Sequence, residues 1–91
     1  MQTSSDKPIQ GKDFLAESLE EEIILIHPVS GNLIHLNSSG ALIWHLCNGQ
    51  RDILEIIRLL SDAYSESASQ IQSDVPAILE SLSAQGAIEW V

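Results

Sequence analysis

Cysteine is almost missing from this chain. Cys47 stands alone, so no internal disulfide can form, and it has no short-spaced Cys or His partners of the kind a metal site needs. A reducing compartment suits such a chain, and the expected location is the cytoplasm. Long apolar runs are missing too. A run such as Ile23 to Ile26, which none exceeds, falls far below the ~20 residues of a membrane-spanning helix, and the first eleven residues lack the apolar run of a secretory signal. Positive charge is scarce: four Lys and Arg face thirteen Asp and Glu, for a net charge of -9. Arg58 is the last of them, so residues 59–91 offer no basic patch to a phosphate backbone. No internal repeat occurs, and the serines follow no catalytic pattern.

What is present is apolar content at structured spacing. Ninety-one residues, 44% of them hydrophobic, make one domain that buries roughly 60 to 70% of its unfolded surface, too small for a deep enzymatic cleft plus a lid. Binding is favoured over catalysis. Residues 1–13 are polar and interrupted by Pro8 and Gly11, which reads as a flexible N-terminal arm before a domain spanning 14–91.

From Phe14, the segment FLAESL predicts a first strand, Glu20 to Glu22 a solvated turn, and the β-branched IILIH a second strand. Pro28 to Gly31 reverses the chain into a third strand at Asn32 to Leu36. A four-residue loop sets His27 against Asn32, Leu25 against Ile34 and Ile23 against Leu36, with Ile24 opposite His35 and Ile26 opposite Leu33 on the other face. Both faces are then apolar, and the one turned from the helices needs a cover.

Asn37 or Ser38 can cap a first helix carrying Ala41, Ile43, Trp44 and Leu46, closed by Asn48-Gly49. Asp52 and Glu55 have capping-box spacing, and Ile53, Ile56, Ile57, Leu60 and Tyr64 mark one face of a second helix. Ser65 to Ala68 reads as a loop. Ile71, Val75, Ile78, Leu79 and Leu82 define a third helix ending at Gly86. Pro76 within it costs about 3 kcal/mol unless the helix kinks near Gln72 or starts late, at a cap on Ser73. Residues 87–91 form a short terminal strand or a tail. The expected class is α+β: a three-stranded antiparallel sheet followed by three helices, the layout of a winged helix-turn-helix.

That layout serves DNA and peptide binding alike; the motifs narrow it. Gly31 in the turn, Leu36-Asn37 at the strand-to-helix step, Ala41, Ile43 and Trp44, then Leu46 to Gly49 resemble the PqqD-like family. Ile53 to Leu60, Asp74-Val75, Leu79, Leu82 and Gly86 to Ile88 continue the resemblance, which covers about residues 14–90. Asn48 stands where the family usually has Asp, and Pro76 is unusual beside Asp74-Val75. The resemblance implies a non-catalytic recognition element for ribosomally made, modified peptides, of the sort that serves pyrroloquinoline quinone or lasso-peptide biosynthesis. It also implies a leader peptide added as a strand along Asn32, Leu33, Ile34, His35 and Leu36. The wall of its groove would be Asp74, Val75, Ile78, Leu79 and Leu82 on the third helix. Its partners would be the precursor's leader and a modifying enzyme such as a radical SAM maturase or a leader peptidase, with no cofactor.

Other readings rank lower. His27 and His35 do not oppose each other and no helical i, i+4 pair exists, so no metal is expected. His45 and Cys47, two apart on a helix, point away from one another, which leaves no nucleophile pair. A winged-helix DNA-binding regulator needs cations on its recognition helix, yet Gln70 to Gln85 carries Asp74 and Glu80 and none. A homodimer joined through the second hairpin face remains open.

Overall fold

The computed structural model describes residues 6–91, and its centre is a meander of three strands: β2 (Leu15–Leu19), β3 (Glu22–Ile26) and β4 (Leu33–Leu36). They are ordered β2-β3-β4, with β1 (Pro8–Gln10) lying elsewhere. The β3–β4 register pairs Ile23 with Leu36, Ile24 with His35, Leu25 with Ile34 and Ile26 with Leu33, as the loop length predicts. Gly31 takes the left-handed conformation the turn requires, at φ 78. Its amide donates to the His27 carbonyl at 2.8 Å and the His27 amide donates to the Asn32 carbonyl at 2.9 Å. His27 Nδ1 in turn accepts from the Ser30 amide, so the imidazole braces the turn. Alternation carries Ile23, Leu25, Ile34 and Leu36 into the core.

Helix α1 (Ser38–Leu46) is capped by the Asn37 side chain, which accepts from the Gly40 amide. Helix α2 (Ile53–Ala63) begins with a full capping box: Asp52 accepts from the Glu55 amide while Glu55 accepts from the Asp52 amide, both at 2.9 Å. Helix α3 (Ala68–Ala84) follows a single 3-10 turn at Ser65–Ser67 and contains Pro76. The late start at Ser73 and the loop through Ala68 are thus both corrected. Five residues of regular helix precede Ser73, because Ile71 and Val75 must both reach the core, and their burial outweighs the bond that Pro76 cannot donate. The helix ends as expected at Gly86, φ 78. There the Ala87 amide donates to the Leu82 carbonyl and the Gly86 amide to that of Ser83, a Schellman closure.

The flexible arm is corrected for the described residues; residues 1–5 lie outside them. Strand β1 pairs antiparallel with β5 (Ile88–Trp90), so residues 87–91 supply a strand rather than a tail. On its other side β1 is held by the α1–α2 connection, where Gln10 donates to the Cys47 carbonyl and Gly49 to the Pro8 carbonyl. Pro8 reads as a breaker but needs no amide at the first position of a strand. Gly11 reads as flexibility but marks close approach, since a Cβ there would lie 2.7 Å from the Gly86 carbonyl oxygen.

Candidate functional site

Strand β4 is an edge. Because His27 and Asn32 form a bonded pair, antiparallel alternation makes Leu25–Ile34 and Ile23–Leu36 the next bonded pairs. The amides and carbonyls of Leu33 and His35 therefore face away from β3, toward open space. Their side chains are exposed as well, Leu33 at 67%. Across the outer face, Leu15, Ile26 and Leu33 lie side by side on three strands, and Leu15 is 60% exposed. That apolar row on the face turned from the core is open in the described chain.

The predicted site residues divide by burial. Asn32, Leu33, His35 and Asp74 are exposed and Ile78 is half-buried. Ile34, Leu36, Val75, Leu79 and Leu82 are core residues, with Val75 wholly covered. Their side chains face inward by strand and helix periodicity, and Val75 also forms part of the floor of the groove beside α3. A groove does border α3. A cavity of ≈ 660 Å³ has α3 as one wall, through Ile71, Asp74 and Ile78, but its opposite wall is the β2–β3 turn and α1. None of residues 32–36 lines it.

That groove also contains residues the sequence reading gave no binding role: Glu20, Glu21 and Glu22 in the turn, Leu42 and His45 on α1, and Tyr64 after α2. Leu42 and Tyr64 are large apolar or aromatic residues that the helix patterns assigned to packing, yet both stay partly open. They are 41% and 52% exposed. The groove holds four carboxylate residues (Glu20, Glu21, Glu22 and Asp74) and no Lys or Arg. It is linked to the edge strand by His35, whose Nε2 lies 2.6 Å from Glu22 Oε1.

Cys47 sits in the core. Burial pushes the Cys47 thiol up to about 12, and its Sγ is directed at the Ile43 carbonyl. Among the described residues no group of three His, Cys, Asp or Glu is placed to hold a metal ion. No described helix is long and apolar enough to cross a membrane.

The family described as Coenzyme PQQ synthesis protein D (PqqD) matches residues 22–88, well over half the chain. The chain belongs to the PqqD family. A protein named PqqA binding protein from Methylococcus capsulatus is 33% identical over 75 residues, which is 82% of this chain and 73% of that relative. The solved structure of TbiB1 in complex with the TbiA(beta) leader peptide has a TM-score of 0.75 at 21% identity and covers 89% of this chain and 94% of that one. At that identity the likeness concerns the fold, the winged α+β arrangement. The matched span starts at Glu22, so it includes β3, β4 and all three helices and leaves out β1 and β2.

Proposed function

We propose that this PqqD-family protein is a non-catalytic adaptor that captures the leader of a ribosomally made precursor peptide and presents it to a modifying enzyme. The carrying observation is the free edge of β4, where the backbone groups of Leu33 and His35 stand open. An extended peptide added there makes about four backbone bonds at ~1 kcal/mol each, which the ~2 to 5 kcal/mol of ordering a disordered segment largely offsets. Side-chain anchors must supply the surplus, at ~1.5 to 3 kcal/mol for each one fully buried. On this reading Leu33 and His35 on the strand meet such anchors, with Asp74 and Ile78 on α3 lining the groove beyond the edge. A relative named as a PqqA binding protein and a protein of like fold solved with a leader peptide support this reading. A radical SAM maturase or a leader peptidase is the class of enzyme served, in the cytoplasm, where Cys47 stays a thiol. The absence of Lys and Arg from α3 weighs against duplex DNA.

Titration calorimetry of the full chain with leader peptides encoded beside its gene tests the proposal. Saturable one-to-one binding that is lost when the leader's paired amides are N-methylated is the expected result. No binding to any leader, together with a stable dimer in sedimentation, rejects it in favour of a self-associating subunit.

A further inference from the structure

The groove between α3, α1 and the β2–β3 turn is separate from the strand edge, and its chemistry differs from it. Leu42, Ile71 and Ile78 give it apolar walls over the buried Ile23 and Val75. Its ≈ 660 Å³ lies in the ~300 to 1,000 Å³ range of sites that enclose a bulky group. Its rim is of one sign. Glu20, Glu21 and Asp74 are exposed, and none forms an ion pair among the described residues.

We infer that this groove takes a large apolar side chain flanked by Lys or Arg, from the part of the leader that runs on beyond the β4 edge. The inference rests on the adaptor reading and specifies the peptide. Continuity supports it: β4 ends at Leu36, and Ser38 and Ser39, the first residues of α1, already line the groove. Charge complementarity supports it too. An acidic flank would meet the unpaired carboxylates of Glu20, Glu21 and Asp74 with no Lys or Arg in the lining, whereas a basic flank gains attraction at every step of the approach. The apolar walls select the anchor and the rim selects its neighbours.

The test uses the full chain and short synthetic peptides with one apolar core, flanked by lysines, glutamines or glutamates, alongside the encoded leader. The expected order of affinity is Lys over Gln over Glu, with about a tenfold step between the first and last, shrinking several-fold from low to high salt. Glu21→Lys with Asp74→Lys, both at exposed positions, should reverse the order with the circular dichroism spectrum unchanged. Equal binding of all three peptides, or an order the double variant does not move, overturns the inference. If that happens while the leader still binds, the adaptor reading survives. If the leader fails as well, that reading falls on its own result.

Discussion

His35 on the edge strand and Glu22 on its neighbour are diagonal partners on the outer face, with Nε2 and Oε1 2.6 Å apart. The pair fixes the imidazole beside the open backbone of β4. Both side chains are about half exposed, at 58% and 48%. An exposed pair of this kind contributes ~0 to 1 kcal/mol. His35→Gln should therefore shift urea unfolding by less than about 0.5 kcal/mol, yet weaken the leader several-fold if His35 meets the peptide. A variant that loses stability and keeps its affinity would make the pair purely structural.

Burial sorts the ten predicted contacts into two groups with opposite mutational behaviour. Val75→Arg and Ile34→Arg bury a charge among Ile23, Leu25 and Leu79 and should unfold the domain. Leu79→Ala should cost about 2 to 5 kcal/mol through the cavity it leaves. Leu33→Arg acts at an exposed position and should leave thermal unfolding nearly unchanged, Ile78→Arg at a half-buried one should lower it modestly, and both should lower leader affinity. Thermal melts beside binding isotherms on the four Arg variants decide it, and a folded Val75→Arg that no longer binds would reinstate the original reading.

The hairpin register was legible because loop length and period-2 alternation fix it together: once His27 opposes Asn32, every later pair follows. The capping box at Asp52–Glu55 was equally local. The β1–β5 pairing was not legible, because its partners are some eighty positions apart and its strands are three residues long. Pro8 and Gly11 also carry the signature of a loop, although one serves as a strand's first residue and the other as a point of close approach. For the candidate site, the pattern located the apolar stripe of α3 correctly. Telling stripe from groove required knowing that Val75 is wholly buried while Ile78, three positions on, is only half-buried.

Gly11 ties the N-terminal strand to the Gly86–Ala87 corner. A Cβ at residue 11 would meet the Gly86 carbonyl oxygen at 2.7 Å and that of Ala87 at 3.0 Å. Backbone cannot yield there as a side chain end can, so Gly11→Ala should cost about 1 to 3 kcal/mol. Hydrogen exchange should show faster exchange at the Ile9 and Gln10 amides, with β3 unaffected. Unchanged protection would mean that the corner shifts to admit the methyl.

Glu20 turns the β2–β3 hairpin with φ 57, the one left-handed residue other than glycine among those described. That conformation costs a side-chain-bearing residue about 1 to 2 kcal/mol, part of which glycine would lose again to unfolded-state entropy. Glu20→Gly should raise stability by ~0.5 to 1 kcal/mol while removing a rim carboxylate. Denaturant unfolding and lysine-flanked peptide affinity should then move in opposite directions, a stronger fold and a weaker ligand.

Cys47 gives the domain a pH dependence at the alkaline end. The thiol is raised by burial from 9.0 to about 12, so the folded state holds its proton where the unfolded chain releases it. A raised acid contributes stability that is complete below the unfolded value and lost as pH climbs toward the folded one. Unfolding free energy should accordingly fall between pH 9.0 and about 12, and the slope should lessen by about one proton in Cys47→Ala relative to the parent. Thiol alkylation at neutral pH should track global unfolding, because the sulfur is fully covered. Rapid labelling of the native protein would show that the α1 terminus and the β1 strand over it open on their own.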